Sequence, residues 1–237
     1  MLGTYLKGSM AAGDIEYVGG YVQGFAGTTS NVTISLTSLT GGTDSAPSAG
    51  DFVLVYFGTA SREVNSDLVV SGYTEVVDAY RSNRYATNLA VAYKFMGAGP
   101  DTSFTLTGGT KDSSDAGAIA VQVWRNVSVV NPLDVSLEFD SNDSSVLCNP
   151  DPITPVSEGA VVIAGGAGAH DEGNRVYSSS DLTNFISVGG TDSNDVTVGL
   201  GYHVWSSGSF NPSEFTFSGS DNTDYSNIAI TLALRPS

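Results

Sequence analysis

The residues of this 237-residue chain that could do chemistry are few, and most of them are acidic. Two identical tetrapeptides, Asp140-Ser141-Asn142-Asp143 and Asp192-Ser193-Asn194-Asp195, gather hard oxygen donors, and Asp221-Asn222-Thr223-Asp224 nearly repeats them. Calcium is held by several such oxygens together with loop carbonyls, so Asp140, Asn142, Asp143, Asp192, Asn194 and Asp195 are candidate ligands. The spacing does not make a twelve-residue loop closed by a Glu. Asp and Asn also favour turns without any metal, because their side chains bond the backbone two residues on. Both readings stay open on sequence alone.

Candidates for covalent or acid–base work are sparser. His170 lies in Gly168-Ala169-His170-Asp171-Glu172-Gly173, which reads as an exposed loop, and His203 lies between Tyr202 and Val204 in a strand pattern. A general base needs a partner and a pocket, and neighbours in an extended loop point apart. No Gly-x-Ser-x-Gly elbow precedes a helix. Cys148 is the only cysteine, so it can form neither an internal disulfide nor a thiolate metal site, and it reads as a small structural residue. Glycoside hydrolysis needs two carboxylates at a fixed separation, and no pair stands out among the 25 acids. The expectation is a protein without catalytic residues or an obligatory cofactor. Tyr80, Arg81, Arg84 and Tyr85, in a polar turn, are the candidate contact surface, since Arg and Tyr recur at interfaces; a plain solvated hairpin is the competing reading. Trp124 and Trp205, at strand ends, could sit at a rim.

The elements that position these residues are strands. Gly50-Asp51-Phe52-Val53-Leu54-Val55-Tyr56-Phe57 is a continuous apolar run of strand length, as expected for a strand covered on both faces. Val32, Ile34 and Leu36 alternate with Thr and Ser, and Leu89, Val91, Tyr93 and Phe95 alternate with smaller or polar residues. Gly, Asn, Asp and Pro punctuate the gaps, and long helical patterns are absent. Gly159-Ala160-Val161-Val162-Ile163-Ala164 echoes the Gly50 run 109 residues later; Tyr202 follows Tyr93 and Ile228 follows Ile119 at the same spacing. Such self-similarity predicts two pseudo-repeated halves. The expected fold is all-β, an antiparallel β-sandwich with jelly-roll or lectin-like connections, in which the halves combine; two tandem sandwiches are the alternative. The organisation expected is an N-terminal arm and weak first strand over 1–30, a first β half over 31–130, a Pro-rich connection over 131–157 and a second β half over 158–237.

Composition narrows the partners. The formal charge of −16 repels phosphate backbones, so nucleic acid is not an expected partner, and it disfavours anionic membranes. No apolar run approaches the length of a membrane span, and the amino terminus lacks the charged start and apolar core of a signal peptide. Synthesis in a cytoplasm and release by a route such as lysis is the expectation.

The succession Gly50-Asp51-Phe52-Val53-Leu54-Val55, Gly72-Tyr73-Thr74-Glu75-Val76, Leu89-Ala90-Val91-Ala92-Tyr93-Lys94, Asn131-Pro132-Leu133-Asp134, Gly159-Ala160-Val161-Val162 and Ile228-Ala229-Ile230-Thr231-Leu232-Ala233-Leu234-Arg235-Pro236 resembles β-sandwich modules of tailed bacteriophage virions, especially marine ones, also seen in bacterial surface proteins. The resemblance spans roughly residues 30–237. It implies a structural or adhesive role with no known catalytic residues. It points to a virion accessory protein on head or tail, assembled in the host cytoplasm beside other virion proteins, with a homotrimer as the guess by analogy. Carbohydrate binding to a host-surface glycan, with or without calcium, is the alternative function.

Overall fold

The Phe52–Phe57 run does lie mid-sheet, with every one of its side chains buried. A computed structural model describes residues 13–27, 31–60, 68–107 and 115–237. The first part of the chain forms β1 (Glu16–Phe25), β2 (Asn31–Ser35), β3 (Phe52–Ala60), β4 (Val69–Val70), β5 (Thr74–Arg81), β6 (Thr87–Phe95), β7 (Ser103–Thr107) and β8 (Gly117–Arg125). The second part forms β9 (Glu138–Asn142), β10 (Val161–His170), β11 (Tyr177–Ser178), β12 (Thr183–Gly190), β13 (Asp195–Val204), β14 (Thr216–Phe217) and β15 (Ser226–Leu234). The described chain is all-β, and every strand ladder is antiparallel.

Two five-stranded sheets face each other. Sheet I has the order β1-β8-β3-β6-β5 and sheet II the order β12-β13-β10-β15-β9. Read from β5 and β12 inward, the two orders correspond strand for strand. Registers correspond as well. Phe52 pairs with Phe95 as Val161 pairs with Val204, and Val77 pairs with Val91 as Ile186 pairs with Leu200, all 109 residues on. Ile119 and Ile228, expected to be equivalent, are not. Val53 meets Val123, but Val162 meets Ala233, a slip of one residue. A slip of one turns a side chain to the other face. Ile119 therefore points away from sheet II, while Ile228 points into the shared core.

That shared core is lined by Phe52, Leu54, Tyr56 and Leu89 from sheet I and by Val161, Ile163, Val198, Leu200, Ile228 and Ile230 from sheet II. Each such side chain contributes on the order of 1.5–3 kcal/mol by leaving water. The halves thus close on one another as a single sandwich. Sheet I has a second apolar face, covered by the small sheet β2-β7-β4 through Ile34, Leu36, Val70, Phe104 and Leu106.

Three boundaries differ from expectation. β1 is a full ten-residue strand, paired with β8 from Glu16 to Phe25. Its glycines mask the apolar pattern but permit close approach: a methyl group added at Gly24 would lie 2.0 Å from the Gly189 carbonyl oxygen. The 131–157 stretch is more than a connection, since β9 lies within it and edges sheet II. The exposed loop expected over 168–173 begins later, because β10 runs on through a buried His170. Most of the expected N-terminal arm, residues 1–12, falls outside the described residues.

Candidate functional site

The turn between β5 and β6 carries the candidate contact residues, and the fold uses it as a clasp. Asn83 donates from Nδ2 to the carbonyl oxygens of Asp143, Thr223 (3.0 Å) and Tyr225 (3.3 Å). Arg81 pairs with Asp143 at 3.5 Å and Arg84 with Asp224 at 3.1 Å. The Arg84 guanidinium lies 5.2 Å from the centre of the Tyr85 ring. Tyr85 donates its hydroxyl to Asp171 (2.9 Å) and meets Tyr225 edge-on at 5.5 Å. Deeper in, Ser226 donates to the Tyr85 carbonyl, and Thr87 donates to the Ser226 carbonyl while accepting the Ala169 N–H. Tyr85, expected to be exposed, is therefore buried, and Tyr80 is half-buried. A turn that must bond three segments of the other half cannot keep its aromatic ring in water.

This clasp draws two of the three acidic turns to one end of the sandwich. Asp143 and Asp224 are its anion partners, while Asp221 accepts the N–H groups of Val146 and Asn222. Asn142 Oδ1 accepts both the N–H and the hydroxyl of Ser144, and Asp140 is half-buried in β9. The remaining turn is held by other neighbours. Asp192 accepts the N–H groups of Gly27 and Ser193. Asp195 accepts those of Asp192 and Gly173, and Asn194 donates to the buried Asp115 at 3.0 Å. Burial raises the Asp195 pKa against the lowering effect of those two N–H bonds. Asn142, Asp192 and Asp195 thus direct side-chain oxygens at backbone N–H groups, those of Ser144, Ser193 and Asp192 nearby and those of Gly27 and Gly173 farther off. Among the described residues no group of three or more His, Cys, Asp or Glu is placed to hold a metal ion.

The acid–base and nucleophile candidates all have partners within the fold. His170 is fully buried, with Nε2 2.9 Å from the Thr197 hydroxyl and Nδ1 accepting the Glu172 N–H. Thr197 spends its own proton on the Arg175 carbonyl, so His170 is the donor at Nε2 and is neutral. Burial lowers its pKa to about 4. His203 stacks on Phe210 with ring centres 4.0 Å apart. Cys148 lies between the carbonyl oxygens of Ala167 and Ile228, and burial pushes its thiol up to about 12. Trp124, expected at a rim, is buried between Tyr17 and Tyr202.

Sequence reasoning missed a matched pair of charge clasps. Asp51, almost fully buried, accepts two bonds from Arg125 and the Ser48 N–H. In the other half Asp134 accepts the Arg235 Nε–H, the Ser157 N–H and the Val156 N–H. Burial raises the Asp134 pKa, but bonds from Ser157, Val156 and Arg235 outweigh it and hold the carboxyl below the usual range. Ser48 and Ser157 begin like turns, closed at Gly50 (φ 88°) and Gly159 (φ 80°), a left-handed conformation that glycine adopts without strain. The carboxylate comes from the turn itself in one half and from 23 residues upstream in the other. The signal was a lone charge at the end of each buried strand. Comparison with protein families, with curated proteins and with solved structures found no match to the chain.

Proposed function

We propose that the chain is a non-enzymatic structural component of a tailed-phage virion, a surface accessory protein on head or tail that is made in the host cytoplasm and acts through protein–protein contacts. The observation that supports this most is where the reactive groups went. His170, Cys148 and the acidic turns are all engaged in holding the two sheets and their loops together. What remains for contact is the exterior of a covered sandwich in a chain of formal charge −16. Each described Lys or Arg (Arg81, Arg84, Lys94, Arg125, Arg175 and Arg235) is in an ion pair. Such a body suits repeated docking on a larger assembly. Mass spectrometry of purified virions, with immunogold micrographs, tests this: the chain's peptides should co-purify with the particles at the abundance of a structural subunit. Their absence from virions overturns the reading.

A second reading, glycan recognition, is favoured by one feature. The His203–Phe210 stack and the half-buried Trp205 form an aromatic group at the strand ends. Aromatic rings serve as sugar platforms, so a glycan array read with and without a chelator decides between the two.

A further inference from the structure

The four outermost strands of the large sheets are treated differently. β1 and β12 cover one another, with the Gly24 and Gly189 backbones in near contact. β5 is open along one side but bulged between Glu75 and Val77, which twists an edge away from pairing. β9 has no such protection. Its register with β15 runs unbroken from Asn142↔Asn227 to Glu138↔Thr231. Glu138-Phe139-Asp140-Ser141-Asn142 contains neither Pro nor Lys. Among the described residues none of its backbone groups bonds on the side away from β15. Phe139 opposes Ile230 and so sits on the core side of the sheet, yet it is 43% exposed.

We propose that β9 is a strand-addition site for an extended segment of a basic partner protein, one whose side chains alternate between cationic and apolar. The inference rests on the protein–protein reading above and gives it a place and a partner class. The alternation follows from the strand. Glu138 and Asp140 lie on the outer face and pair with no described cation, so an incoming strand must meet them with Lys or Arg. Phe139 lies on the other face and takes an apolar neighbour. A second copy does not fit. Antiparallel pairing of two β9 strands centred on Asp140 sets carboxylate against carboxylate on one face, between chains of formal charge −16. All six described cations are already paired, so a second copy brings no free positive charge from those residues.

The test uses the whole chain and two peptides of equal composition, one alternating (Lys-Val-Lys-Val-Lys-Val-Lys) and one in blocks (Lys-Lys-Val-Val-Val-Lys-Lys), followed by amide NMR. The alternating peptide should bind with a Kd on the order of 0.1 mM. Its shift changes and slowed amide exchange should be confined to 138–142 and the adjacent β15. Replacing both acids (E138K and D140K together) should weaken it about tenfold, with the rest of the spectrum unchanged. Equal binding of the block peptide, shifts spread over other acidic surfaces, no shift at all, or concentration-dependent self-association through 138–142 would each overturn the proposal. The two readings fail separately. Binding at β9 by a chain absent from virions sinks the virion role alone, and a virion protein that ignores the alternating peptide sinks the strand-addition site alone.

Discussion

The outer faces of the two large sheets are built in opposite ways on matching strand orders. Sheet I turns Val53, Val55, Phe57, Ile119, Val121 and Val123 outward, and a separate three-stranded sheet covers them. Sheet II turns out Gly166, Gly168, Gly199 and Gly201, and the covering bulk comes from elsewhere, from Tyr177, Phe185, Val146 and Cys148 lying on the glycines. Phe215 packs beside Tyr177 and Phe185. The volume between layers must be filled in both cases, but the side chains that fill it stand on the central strands themselves in one half and on the edge strand β12, on β11 and on the 146–148 segment in the other. A sheet that carries its own bulk tolerates a polar cover strand. A glycine sheet instead lets a covering segment approach the backbone itself, which is how Val146 and Cys148 come to lie on β10.

The comparison can be broken at several points. The largest effect should come from the charge clasps, the feature the halves share. Arg125→Ala and Arg235→Ala each leave a buried carboxylate without its partner and should cost on the order of 3–5 kcal/mol in urea unfolding, alike in both halves. Next is the feature that separates them. Gly166→Ala places a methyl 2.6 Å from the Ile228 carbonyl oxygen and 2.7 Å from Cys148 Sγ. It should destabilise by about 3 kcal/mol through overpacking. On sheet I the harmful change is the reverse, loss of volume, and Ile119→Val should cost only about 1 kcal/mol. Gly166→Ala proving neutral would mean that the loops over sheet II pack loosely.

His170 gives a pH signature to the same region. Its folded pKa, about 4, lies below its ordinary value of 6.5, so the unfolded chain takes up the proton first. Stability from this group is complete above 6.5 and is lost as pH falls toward 4, by about 3 kcal/mol. Denaturation at pH 7 and pH 4.5 should show that loss in the native chain and a shallower one in His170→Asn. Asp134 acts in the same direction at lower pH: its contribution is lost only as pH falls below the usual carboxylate range.

Sheet I was the more legible half for the same physical reason. Its strands carry apolar side chains on both faces, so Gly50–Phe57 and Leu89–Phe95 announce themselves. On sheet II the strand was read only as far as Ala164, because the glycines that follow give no periodic signal; burial there is set by Tyr56 reaching in on one side and Tyr177 on the other. β1 was read as weak for that reason too. The one-residue slip of β15 left no trace in the sequence, since Ile-x-Ile-x-Leu suits either register. Of the candidate site, Asp140, Ser141 and Asn142, read as part of a turn, lie in the edge strand β9, and Tyr85 was misplaced, because no local pattern tells that a polar hairpin will be bonded to three distant segments.

The claim on which the rest depends is that the two halves are one cooperative body around a shared core. Native-state hydrogen exchange of the central strands β3 and β10 tests it most directly. The account predicts that both exchange through the same global opening and that Gly166→Ala lowers the opening free energy of both by an equal amount. If Gly166→Ala loosens β10 while the protection of β3 is unchanged, the halves open independently and the account is contradicted.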